Sequence, residues 1–185
     1  MNQEGRRLSL GIPRTVASSA GPCLRLDFTG AASRVLDISR DLARHAKDVP
    51  FALFYLMDND SKRARLAGMA GAEPGASENQ IVVDLADANE IVQSWPFSDA
   101  VRSEAMQVVE DLHARISPVP CGPWSDPPRS AAVFPIPSSM PHHFAGFLVL
   151  GVSSRLPFDD RYRAFFELVT RQVATAIANA QTYAE

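Results

Sequence analysis

The sequence predicts an α+β fold: a central antiparallel sheet of about five or six strands, with the N- and C-terminal helices packed on one face. Three observations predict it. Two pairs of apolar, strand-length runs, 51–58 with 63–71 and 131–136 with 144–153, each bracket a short polar turn. Segments with helical spacing of apolar residues stand towards the two ends, at 27–47 and from 159 onward. Strands that cluster in hairpins, rather than alternating with long helices, give an antiparallel sheet with its helices gathered to one side.

Residues 1–26 mix Gly, Ser, Pro and Arg with single apolar residues and have no sustained period, so this stretch reads as a flexible leader to a single domain over 27–185. From Asp27 to Lys47, Phe28, Ala32, Val35, Leu36, Ile38, Leu42 and Ala43 recur at spacings of three and four, interrupted only by Gly30. This is an amphipathic helix, most regular over Ala31–Ala46. Pro50 stops it, and the run FALFYLMD follows without polar alternation, as suits a central strand covered on both faces. A turn over Asn59–Lys62 leads into RARLAGMAG, the second strand of a hairpin.

Loop residues from Glu73 precede a short extended piece at Ile81–Leu85. Ala86–Ser103 then predicts one or two short helices with Ile91, Val92, Trp95, Phe97 and Val101 inward, divided at Pro96. Ala105–Leu112 reads as a strand, or as a continuation of the helix before it. Eight of the 14 prolines fall between Pro118 and Pro141, which makes 117–129 an irregular connection carrying Cys121 and Trp124; ordered loops of that length often serve function. Asp159 suits the N-cap of the last helix. Its stripe of Tyr162, Phe165, Phe166, Val169, Val173, Ala176, Ile177 and Ala180 predicts one buried face, with Ala176 and Ala180 small enough for close packing against another helix.

Composition excludes several classes of function. At 185 residues and 46% hydrophobic, the chain can bury one core. A net charge of -3 gives no general attraction for phosphate backbones or anionic lipid, so neither nucleic acid nor membrane is an expected partner. No apolar run reaches the roughly 18 residues that span a bilayer, and the N-terminus lacks the apolar core of a secretion signal, so a cytoplasmic protein is expected.

Catalytic and metal-binding patterns are weak throughout. Asp58-Asn59-Asp60 has the spacing of the first calcium ligands of an EF-hand, but Arg63 stands where the turn glycine belongs and Met69 where the bidentate glutamate belongs. A hairpin turn accounts for it better. His142 and His143 are adjacent, so on an extended chain they point to opposite sides, and His45 and His113 have no acid or cysteine at a diagnostic spacing. Cys23 and Cys121 lie far apart and read as free thiols. No phosphate-binding glycine loop or nucleophile elbow occurs, so no metal is expected and no catalytic residue is assigned. Trp95, Phe97, Trp124 and Phe134 could line a small-molecule pocket, with Val101, Val108 and Cys121 beside them, although aromatics at such positions are more often simply core.

Three stretches together resemble the GAF domain family of signalling proteins: FAGFLVLGVSSRLPFDDRYRAFFELVTRQVATAIANAQTYAE from Phe144 to Glu185, DVPFALFYLMDNDSKRARLAG from Asp48 to Gly68, and Trp95-Pro96-Phe97. The resemblance is to GAF domains of bacterial sensor histidine kinases and covers about Phe28 to Glu185. It implies a GAF/PAS-like fold and a regulatory role: binding an unidentified small ligand, forming a homodimer through Tyr162, Phe165, Val169, Val173, Ala176, Ile177 and Ala180, and driving an output domain such as a histidine kinase. The final helix shows no stop signal, so either a fragment of a longer protein, the favoured reading, or a stand-alone version of the domain is expected.

The resemblance also limits the ligand, whose identity it does not supply. A covalent bilin is unexpected, because Cys121 is followed by Gly122 and Cys23 by Leu24 rather than by histidine. The Asn-Lys-Phe-Asp-Glu-like signature of cyclic-nucleotide GAF domains is reduced here to Leu156-Pro157-Phe158-Asp159-Asp160. Two alternatives remain: a ligand-free dimerisation module, and a thiol-dependent reductase of free methionine sulfoxide, whose chemistry needs a second cysteine near Cys121.

Overall fold

A strand apolar on both sides must be covered on both sides, and the run at 52–57 does form the middle of a sheet. The computed structural model describes residues 26–58, 62–72, 82–85 and 95–182. In chain order it contains α1 (Leu26–Ala43), β1 (Ala52–Met57), β2 (Arg63–Ala70), β3 (Val82–Asp84), α2 (Phe97–Ser103), β4 (Gln107–Val109), α3 (Leu112–Arg115), β5 (Ala131–Pro137), β6 (Phe144–Gly151) and α4 (Asp160–Thr182). The strands run β3-β2-β1-β6-β5-β4, every neighbouring pair antiparallel. The leader at 1–25, the turn residues Asn59 and Asp60, and Ile91 and Val92 lie outside the described residues.

Strand alternation divides the core in two. Phe54, Leu56, Phe134, Ile136, Leu148 and Leu150 face a helical layer, where Val35 and Leu42 of α1 meet Tyr162, Phe166, Val173 and Ile177 of α4. Leu53, Tyr55, Val133, Phe147 and Val149 face the opposite way, under Trp95, Phe97, Leu112, Ile116 and Val119. We call this second side the outer face.

Helix α4 starts where its capping residue predicts: the Tyr162 N–H donates to the Asp159 carboxylate at 2.9 Å. Within its stripe, Phe166, Val173 and Ile177 are fully buried and Tyr162 nearly so, whereas Phe165, Val169, Ala176 and Ala180 are half-buried. The small residues are used within the chain. A Cβ added at Gly30 of α1 would lie 3.4 Å from the Ala180 carbonyl oxygen, so the two helices cross where neither carries bulk.

Two expectations need correction. The helix at 27–47 gives way to turns after Ala43, short of Lys47. The strand expected over Ala105–Leu112 is only Gln107–Val109, and Leu112 begins α3. Glu104 and Asp111 both adopt left-handed backbone, at φ 52° and 55°, and such residues cannot continue an extended ladder. Asp58 serves the hairpin, accepting from the Arg65 Nε–H at 2.8 and 3.1 Å, with Arg63 Nε at 3.7 Å. His142 also has left-handed backbone, at φ 59° in the β5–β6 turn, with its Nδ1 4.0 Å from Glu104. No helix among the described residues is long and apolar enough to cross a membrane.

Tyr162 ties three segments together. Its hydroxyl donates to the Asp48 carbonyl after α1 and accepts the Ser153 N–H after β6, at 3.0 Å. Burial raises this phenol, the Ser153 bond opposes the rise and the charge of Asp48 adds to it, so it is pushed up from 10.0 to about 12. The fold therefore favours the neutral form. That contribution is complete below the unfolded value and is lost as pH climbs through about 12. Urea midpoints should fall between pH 10 and 12, less steeply in Tyr162→Phe. At neutral pH the same variant should lose about 1–3 kcal/mol, because it strands a buried N–H and a carbonyl. Identical titration curves for the two proteins would remove Tyr162 from this role.

Candidate functional site

The outer face gathers aromatic side chains from separate parts of the chain. Tyr55 of β1 and Phe147 of β6 are cross-strand partners at the sheet centre. Phe97, at the start of α2, stacks on Phe147 at 4.2 Å and 12°, and meets Tyr55 edge-on at 5.0 Å and 67°. Trp95 closes the group, and all four are buried. Pro96 positions the two incoming aromatics, since proline ends one segment and admits α2 immediately after it.

Two polar atoms in this cluster are sealed from water, the Tyr55 hydroxyl and the Trp95 indole nitrogen, and among the described residues neither has a hydrogen-bond partner beyond the other. Burial raises the Tyr55 phenol well above its ordinary range, and a side-chain hydrogen bond from the Trp95 indole N–H to the phenol oxygen opposes part of the rise. At neutral pH Tyr55 is thus an uncharged group able to donate or accept, and the indole can only donate.

The seven residues expected to line a pocket are not brought together. Trp95 and Phe97 are in the outer cluster and Val101 packs against it. Phe134 points the other way, edge-on to Phe166 at 6.3 Å in the helical layer. Val108 is 42% exposed: its cross-strand partner Ala132 faces the helical side, but β4 is an edge strand beyond the cover of α1 and α4. Trp124 lies near the surface, its indole N–H directed at the Lys47 carbonyl at 3.4 Å and the Arg155 guanidinium 5.6 Å over its ring. Cys121 is half-buried, its thiol 3.5 Å from the Val119 carbonyl, and Gly122 beside it packs on Ala46 and Pro50. That loop therefore rests on the α1–β1 turn. Cys23 lies outside the described residues.

Tyr55 and Phe147 are the residues sequence reasoning missed. A tyrosine inside the otherwise hydrocarbon run FALFYLM was a usable signal, because a central strand leaves its hydroxyl no water to bond. Two further clefts border the helices. One of about 460 Å³ runs between α1 and α4, with Ile38, Leu42, Phe165 and Val169 as walls and Asp41, His45 and Asp48 among its lining. The other, about 520 Å³, opens between α3, the end of the long loop and the exit of β6.

The family model described as GAF domain matches residues 26–178. No curated protein matches the sequence. Among solved structures, the chain is similar to the GAF domain/HD domain protein from Geobacter sulfurreducens, at 15% identity and TM-score 0.57 over 85% of this chain and 99% of that one. It is similar also to the GAF domain of a two-component sensor histidine kinase from Bacillus halodurans, at 17% identity and TM-score 0.54 over 80% and 97%. A third, the type II free methionine-R-sulfoxide reductase from Thermoplasma acidophilum, matches at 14% identity and TM-score 0.54 over 82% and 94%. At these identities the likeness shows a shared fold.

Proposed function

The chain belongs to the GAF domain family, and from that premise we propose that it is a non-catalytic sensory domain that binds a small ligand on the outer face of its sheet. One observation carries the reading. A buried polar group short of a partner costs about 1–3 kcal/mol, and Tyr55 and Trp95, in one aromatic cluster, have among the described residues no partner beyond each other. An acceptor atom on a planar ligand, such as a carbonyl or ring nitrogen, would take the Tyr55 O–H once Trp95 and Phe97 move aside to admit it. Tyr55 alternates along β1 with Phe54 and Leu56, which face the helical layer, so a shift of β1 is felt beneath α1 and α4. A ligand biases that layer only by binding its two arrangements with different affinity.

The helices are the proposed route out, towards an output domain such as a histidine kinase in a longer chain, with two copies pairing through them. Leu36 of α1 and Leu168 of α4 are 46% and 49% exposed, leaving apolar surface for a second copy. The reductase chemistry would need another thiol beside Cys121, and Cys121 is the one cysteine among the described residues.

Native mass spectrometry of protein purified from a cell extract reports bound ligand and oligomeric state together. A dimer carrying a small-molecule adduct is expected. Tyr55→Phe should reduce the adduct while leaving the stripped protein equally stable, or more stable by up to about 1–2 kcal/mol, because an unsatisfied hydroxyl has been removed. A stripped variant that loses more than about 1 kcal/mol would mean that the hydroxyl is structurally satisfied. A dimer with no adduct from any preparation would favour the ligand-free module.

A further inference from the structure

The cleft of about 520 Å³ beside α3 is separate from the outer aromatic cluster and has its own chemistry. It forms where three segments converge. His113 comes from α3; Asp126, Arg129 and Ser130 end the long loop; Val152 to Phe158 leave β6 for α4. Backbone bonds fix the frame: the Leu112 N–H donates to the Arg129 carbonyl at 3.1 Å, and the Val152 N–H to the Ser130 carbonyl at 2.9 Å.

Charge in the cleft is unbalanced. Asp126 is taken by Arg155 at 2.8 Å, and the Ser154 hydroxyl donates to the Asp126 carbonyl at 3.0 Å. Arg129 also lines this space; it is exposed, and among the described residues no ion pair or hydrogen bond of its side chain is found. The same lining includes Leu156, left 42% exposed, and Phe158, whose ring has the Arg163 guanidinium 5.0 Å over it. A cleft that has an exposed arginine and an exposed apolar residue in one lining suits a molecule that is anionic at one end and apolar at the other.

We propose that this cleft binds a small organic carboxylate, its charged end on Arg129 and its apolar body against Leu156 and Phe158. The site touches the root of the last helix. Phe158 stands 5.8 Å from Tyr162 and 5.9 Å from Phe166, ring to ring, so an occupant presses on the aromatic group that seats α4. The proposal is independent of the outer-face ligand and can fail without it.

Phenylacetate serves as the probe, with phenylethanol as its uncharged counterpart and inorganic phosphate as a small anion without an apolar body. Ligand-observed NMR on the full chain should show phenylacetate binding in the millimolar range or tighter. Because a charge-assisted bidentate contact is lost, Arg129→Ala should weaken it roughly tenfold or more, and Arg129→Lys should do so less. Arg129 is exposed, so the variants should keep the wild-type spectrum. Phenylethanol binding as well as phenylacetate, phosphate binding better than either, or an unchanged affinity in Arg129→Ala would each overturn the proposal. So would the absence of phenylacetate binding at about 10 mM, since that is weaker than roughly -3 kcal/mol of binding free energy.

Discussion

Val173→Asp is expected to remove about 3–5 kcal/mol of folding free energy, enough to leave a domain of ordinary stability largely unfolded at physiological temperature. Val173 is 1% exposed on the face of α4 turned to α1, in the cluster with Leu42. A carboxylate there would meet no lysine or arginine in the lining of the adjoining cleft, which offers Asp41 and Asp48 of its own sign and His45. Burial and like charge both raise the pKa of such a group, so it would take up a proton rather than remain ionised. The loss should accordingly shrink as pH falls from 7 towards about 5. Ala114→Asp is the control, because Ala114 is exposed on α3, outside the helix pair and its apolar surface, and its replacement should stay within about 0.5 kcal/mol. Urea unfolding of both variants at two pH values decides the matter. A midpoint for Val173→Asp equal to wild type would mean that α4 does not depend on α1 for its place.

How much of this was legible in the sequence depended on the kind of physics involved. The elements α1, β1–β2, β5–β6 and α4 were readable because each rests on a local pattern: helical spacing from Ala31, unbroken apolar runs at 51–58 and 144–153, and a capping carboxylate at Asp159. The break after Val109 was not readable, since neither Glu104 nor Asp111 announces a left-handed backbone. The aromatic site was half readable for a related reason. Trp95 and Phe97 were visible as aromatics around a proline, but the side of the sheet to which Phe134 turns depends on register and parity across β6, which are long-range properties. Ala180 was recognised as a place for close packing. Its partner, Gly30 of the same chain, stands at the far end of the sequence and looked only like a flaw in a helix.

Gly146→Ala is expected to lower stability by about 3 kcal/mol or more, above the usual range for overpacking, because the added methyl meets backbone and not a movable side chain. Gly146 pairs with Leu56 in the ladder joining β1 to β6, the two middle strands of the sheet. A Cβ there would stand 1.9 Å from the Tyr55 carbonyl oxygen and 3.1 Å from the Leu56 Cα, so the strands must part. Gly68 makes the contrast: its nearest neighbours are the side-chain ends of Val35 and Ser39, at 2.8 and 2.9 Å, which can rotate or give, so Gly68→Ala should cost less. For a domain of this size the loss in Gly146→Ala corresponds to a melting temperature lower by about 6–12 °C. The displaced carbonyl belongs to Tyr55, so this variant should lose ligand and stability together, whereas Tyr55→Phe should lose ligand alone. Calorimetry of the stripped proteins beside native mass spectra of the unstripped ones separates the two outcomes. A Gly146→Ala protein that melts with wild type would show that β1 and β6 can part at Tyr55 without penalty, and the outer face would then have no fixed floor for a ligand.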